Sequence, residues 1–221
     1  MTLQLCAAVL ALNGIGVFLL ARDYNRQEEA AGEGKGTWLN KKFVIFGSLM
    51  TLACIGIAVS MHLLYASQSI LFDLKRLCLL SLLWPAAFID YHSYRIPNSF
   101  VIAGLSYRVV IFVFELVFEA DGIWERGLAE LVAAGGLCLA AFLCGLLIKN
   151  SVGFGDIKLF IVMGLLLGLD GIWSAVFVSL IVSFVASAVL LATRRKKRKD
   201  VIPFAPALMI GTFVSVFLTG M

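Results

Sequence analysis

The sequence predicts an all-α, polytopic membrane protein with about eight transmembrane helices. Three observations lead there. Of 221 residues, 61% are hydrophobic and only 14% charged, whereas soluble domains run near half and a quarter. Apolar runs of about 18 or more residues, the length a helix needs to cross hydrocarbon, recur along the chain. Most lysines and arginines sit beside those runs, so the net charge of +4 reads as membrane topology and gives no support for nucleic-acid binding. The five cysteines, Cys6, Cys54, Cys78, Cys138 and Cys144, all lie inside apolar runs with no Cys-x-x-Cys pair. They read as small, reduced packing residues rather than zinc ligands.

Each span follows from the order of apolar and polar stretches. Thr2–Ala21 is the first, with Asn13, Gly14 and Gly16 expected to face other helices. It has no basic residue before Arg22, so a retained helix is expected rather than a cleaved signal. Arg22–Lys42 is polar and reads as a flexible connector. Phe43–Tyr65 is the second span, with His62 near its end. Ser69–Asp90 is the third, where Asp73, Lys75 and Arg76 are expected to snorkel and Trp84-Pro85 to kink the helix. Asn98–Glu119 is the fourth, capped by Asn98 or Ser99 behind Pro97. An acidic loop leads to the fifth, Gly127–Ile148, rich in glycine and alanine. The sixth, Asp156–Leu169, carries Gly164-x-x-x-Gly168 and ends at an Asp170-Gly171 turn. Ile172–Thr193 is the seventh. The basic run Arg194–Lys199 follows, and Val201–Leu218 is the eighth, entered through Pro203-Phe204-Ala205-Pro206.

Counting loop lysines and arginines places fourteen on one face and three on the other. The first face is therefore expected to be cytoplasmic and both termini outside. Asp90 closes span three and Asp156 opens span six. Two spans intervene, so both acids are expected at the same membrane boundary.

A carboxylate at membrane depth is expensive and marks a functional hypothesis. Asp156 follows Gly153-Phe154-Gly155, whose glycines permit close backbone approach. Two carboxylates in one partly dehydrated site titrate as a pair and favour sharing one proton. The ionised member can activate water while the protonated one hydrogen-bonds to a peptide carbonyl, as in aspartic proteases. Plainer readings stand beside this. Asp156 could be the N-cap of span six, Asp90 an anchor paired with Arg95, Pro97-Asn98 a turn and cap, and Lys158 an interfacial lysine. A metal site from Asp90, His92 and Asp156 is a further alternative with a thin ligand set.

Asp90 with Arg95-Ile96-Pro97-Asn98, then Gly153-Phe154-Gly155-Asp156-Ile157-Lys158-Leu159, then Pro203-Phe204-Ala205-Pro206, together resemble the type IV prepilin peptidase family of GxGD membrane aspartyl proteases. The resemblance covers about residues 69–221 as a six-helix core, leaving 1–68 as two further helices with a charged connector. It implies that Asp90 and Asp156 are the catalytic pair. Gly153, Gly155, Lys158, Arg95, Pro97, Asn98, Pro203 and Pro206 would shape the site or hold substrate. It implies a cofactor-free and metal-independent endopeptidase of the inner (cytoplasmic) membrane, removing short basic leaders from prepilins or pseudopilins at the cytoplasmic face. Pilus or secretion assembly proteins are further candidate partners. Ala205 stands where relatives often have glycine. The connector lacks the cysteine-rich segment linked in many relatives to N-methylation, so peptidase activity is expected without methyltransferase activity. The competing readings are a transporter or channel using the acids as a relay, and a non-catalytic pilus-assembly factor. Against a relay, nothing comparable is expected at the midplane or the opposite side.

Overall fold

The computed structural model describes residues 2–31, 41–65, 68–147, 153–194 and 202–219. Among the described residues all regular structure is helical: α1 (Thr2–Ala31), α2 (Lys41–Leu64), α3 (Ile70–Ser93), α4 (Asn98–Phe118), α5 (Ile123–Leu147), α6 (Phe154–Ala192) and α7 (Ala205–Thr219). Helices α1, α2, α4, α5 and α6 are each long and apolar enough to cross a membrane. α1 runs ten residues past the expected end of the first span. Its polar continuation is rich in Arg, Gln, Glu and Ala, which are strong helix formers. The Gly-Glu-Gly-Lys-Gly run and the basic cluster after Arg194 lie outside the described residues.

α6 is two helical arms. Gly168 adopts φ 72° and ψ −174° inside it, a backbone state that favours glycine. The first arm, 154–167, packs antiparallel to α5, with Gly164 over Ala134 and Gly168 beside Glu130. The second arm, 169–192, packs antiparallel to α7. There the Ser174 hydroxyl meets that of Ser215 at 2.6 Å, and Ser179 lies against Gly211. The chain therefore doubles back at Gly168. The expected Asp170-Gly171 turn is instead helical.

α3 is the shaft of the bundle: residues 77–87 are all buried. It stays helical through Pro85. Proline removes the N–H that the Ser81 carbonyl would accept, and α1 covers that carbonyl. A Cβ added at Gly16 would sit 2.7 Å from the Ser81 oxygen. One turn away, Trp84 Nε1 donates to Asn13 Oδ1 at 2.5 Å. Gly14, by contrast, faces open space. Asn13 and Gly16 thus face α3 as expected, and Gly14 does not.

The expectation that Asp73, Lys75 and Arg76 snorkel is corrected, because all three are at most 5% exposed. Lys75 Nζ lies 2.8 Å from both Glu115 of α4 and Glu130 of α5. Arg108 of α4 reaches the same two acids, at 3.0 Å and 2.5 Å. This neutral square of charge lies in the half of the bundle away from Asp90, where the sequence reading expected nothing of the kind. Stranding one member would leave a buried unpaired charge, at a cost of about 3–5 kcal/mol.

The glycine crossings can be tested directly. A Cβ at Gly164 would lie 2.5 Å from Ala134 Cα, so Gly164→Ala should lower stability by about 1–3 kcal/mol. Gly136 meets nothing within 4 Å, so Gly136→Ala should be neutral or gain up to about 1 kcal/mol from helix propensity. Thermal unfolding in detergent micelles measures both, and the opposite order would contradict the α5–α6 crossing.

Candidate active site

Asp90 lies in the last turn of α3, buried at 6% exposure. A carboxylate at the C-terminus of its own helix meets the wrong end of the dipole. The fold compensates by bringing in the start of α7. Asp90 Oδ2 accepts the backbone N–H of Ala205 at 3.1 Å, and Phe204 contributes a second backbone hydrogen bond. A helix start has N–H groups with no intrahelical acceptor, and Asp90 supplies one. Pro203 and Pro206 flank this contact. Proline suits the first turn of a helix, where its missing N–H is not needed.

Asp156 is half-buried in the first turn of α6. The helix cap is Gly153, at φ −75° and ψ 141° with no side-chain cap bond, so Asp156 is the third helical residue rather than the expected N-cap. Its carboxyl reaches back to the Gly153 backbone N–H, the returning half of a capping box. Extended φ/ψ at Gly153 requires no glycine; proximity does. A Cβ there would lie 3.1 Å from Asp156 Oδ2. The two acids are close enough that the charge of Asp90 acts on Asp156. Each also faces the donor-rich start of a helix, α7 for Asp90 and α6 for Asp156.

The α3–α4 connection closes the other side. Tyr94 takes the left-handed conformation, φ 53° and ψ 34°, and its N–H returns to the Asp90 carbonyl. Ile96 packs on Gly155, where a Cβ would lie 3.1 Å from the Ile96 Cβ. Pro97 is the backbone cap of α4 with no side-chain cap bond. The side chains of Asn98 and Ser99 therefore do not cap α4. Asn98 Oδ1 accepts from Lys158 Nζ at 2.8 Å, and Ser99 donates to buried Asp23 of α1. Phe160 and Phe204 meet edge to face at 6.1 Å, joining α6 to the entry of α7.

Gly153 thus lies against Asp156, Gly155 against Ile96, and Lys158 on Asn98 next to Pro97, while Pro203 and Pro206 flank the Ala205 N–H that Asp90 accepts. Arg95 is exposed, and among the described residues no ion pair joins it to Asp90. His92 turns its Nδ1 to the Phe88 carbonyl at 2.9 Å, and no group of three metal-capable side chains forms among the described residues. Sequence reasoning missed the Ala205 and Phe204 N–H groups, because a backbone donor leaves no mark in the side-chain alphabet. It also missed Asp23, whose position beside Arg22 looked like ordinary loop charge.

Comparison with known proteins bears on this geometry. No solved structure matches the chain. The prepilin leader peptidase/N-methyltransferase of Bacillus subtilis (strain 168) is 34% identical over 136 residues, covering 62% of this chain and 52% of that protein. The chain thus aligns with only about half the length of that relative. The family model described as type IV leader peptidase matches residues 77–192. That stretch is over half of the chain and contains both acids with the segments around them, but stops before Pro203. The chain belongs to the type IV leader peptidase family.

Proposed function

We propose that this chain is a membrane aspartyl endopeptidase that removes the short basic leader of prepilin-like or pseudopilin substrates. The observation that supports the reading is that Asp90 and Asp156 lie within electrostatic reach of one another beside the donor-rich starts of two helices. One carboxylate takes a proton from a water molecule, whose oxygen attacks the peptide carbonyl carbon. The other, protonated, donates to the carbonyl oxygen as negative charge develops there. Collapse of the tetrahedral adduct breaks the C–N bond, and the amine leaves with a proton from the acid pair. Half-buried Asp156 is the member that water reaches more readily.

The cytoplasmic boundary of the inner membrane is our assignment for the site, on the bias of basic residues toward that face. By the same count both chain ends lie outside. Residues 69–221 are proposed as the catalytic core. Residues 1–68 brace it through the Asn13–Trp84 and Asp23–Ser99 contacts. We assign the peptidase step alone, because the connector carries no cysteine. A relay reading draws no support from the buried charge square, since each of its acids is held by two cations.

Co-expression with a candidate prepilin, followed by mass determination of the new N-terminus, tests cleavage and methylation together. Asp90→Asn and Asp156→Asn should each reduce cleavage by about 10³-fold or more. The side-chain amide of the Asp90→Asn variant still offers an oxygen to the Ala205 N–H, so that protein should insert and fold. Cleavage at the normal rate by either variant would end the proposal. Chelators should leave the rate unchanged, because the two acids alone supply the base and the proton donor.

A further inference from the structure

We propose that Lys75 is a positioning residue: it sets the axial register of α3 against α4 and α5, and thereby the place of Asp90 beside Asp156. Lys75 lies 15 residues before Asp90 on the same helix, about 22 Å away at 1.5 Å per residue. It touches neither acid of the candidate active site. The effect on catalysis rests on the peptidase reading; the effect on register does not.

A chain of contacts links Lys75 to Asp156. Asp156 rides on the first arm of α6. That arm is crossed closely by α5 at Gly164 and Ala134, and by α4 at Gly104, where a Cβ would collide with Val162. α4 and α5 are therefore referenced to the helix that carries Asp156. At the charge square they are joined to one another by Arg108 of α4, 2.5 Å from Glu130 of α5. On the outer side of that pair a groove of about 500 Å³ runs between α4 and α5, lined among others by Val109, Phe112, Ile123, Trp124 and Leu128. Lys75 ties α3 to both of these helices, with one ammonium 2.8 Å from Glu115 of α4 and 2.8 Å from Glu130 of α5. Trp84 and Ser81 fix α3 against α1, and toward α4 and α5 the ion pairs of Lys75 are directional where apolar contacts are not. Two 2.8 Å ion pairs from one cation admit little axial displacement. Buried polar pairs that fix register are a well-attested use of charge inside helical bundles.

The test measures register and catalysis separately. Spin labels on Tyr91→Cys and Phe154→Cys, both highly exposed, report the distance between the end of α3 and the start of α6. The five native cysteines are replaced by alanine and the protein is held in lipid nanodiscs. Lys75→Met should shift the distance by about 1.5 Å or more, one helical rise, or visibly broaden its distribution. Lys75→Arg should restore it. In unlabelled protein Lys75→Met should lower kcat at least tenfold with KM little changed, and Lys75→Arg should recover most of the loss. If Lys75→Met fails to insert, the charge-balanced Lys75→Met/Glu115→Gln variant replaces it and should show the same displacement. An unchanged distance distribution in the folded variant overturns the proposal. If the unmodified protein cleaves no prepilin, the peptidase reading falls and the distance arm still decides the register claim.

Discussion

The start of α7 sets the terms for the rest of the fold. A helix that begins among apolar neighbours carries N–H groups that neither water nor its own turns can satisfy. The side chain that answers the first of them is Asp90, from a helix more than a hundred residues earlier. One contact thereby solves two problems. It satisfies a buried donor at Ala205, and it gives a buried carboxylate the positive end of a dipole to face. The ends of α3 and α7 must meet for either condition to hold. α6 follows because Phe160 packs on Phe204 and Gly155 on Ile96.

Polar groups are consequently sorted into two clusters of different character. At the Asp90 end the acids face backbone donors and lie within reach of each other's charge, with no cation pairing among the described residues. In the opposite half Lys75, Arg108, Glu115 and Glu130 neutralise each other side chain to side chain. The first arrangement leaves carboxyl oxygens available for chemistry. The second consumes every charge in holding helices together.

Much of this was legible in the residues. Helix order and the shared end of Asp90 and Asp156 follow from apolar length and parity, whereas the Ile-Pro-Asn, Gly-x-Gly-Asp and Pro-Phe-Ala-Pro stretches are set together by the family resemblance. What failed did so for identifiable reasons. Hydropathy averages over a window, so Lys75, Arg108, Glu115 and Glu130 each looked tolerable alone, and their mutual contact is a tertiary fact. A single glycine at positive φ turned α6, while the familiar Asp170-Gly171 pair stayed helical, because packing on α5 and α7 decides where the arms part. Asp156 resembled an N-cap, but Gly153 holds that position and the carboxyl reaches back to it. Apolarity alone also could not tell the wrapped shaft α3 from the helices that present Val, Leu and Phe outward.

The proposed chemistry requires two acids from separate helices close enough to share one water molecule and one peptide bond. The most direct measurement joins Asp90→Cys and Asp156→Cys with a short bifunctional thiol reagent, in a chain whose native cysteines are replaced by alanine. An efficient link within the chain is expected for that pair, and none between Lys75→Cys and Asp156→Cys. Free reaction of both introduced thiols with a monofunctional reagent, without any link between them, would contradict that chemistry.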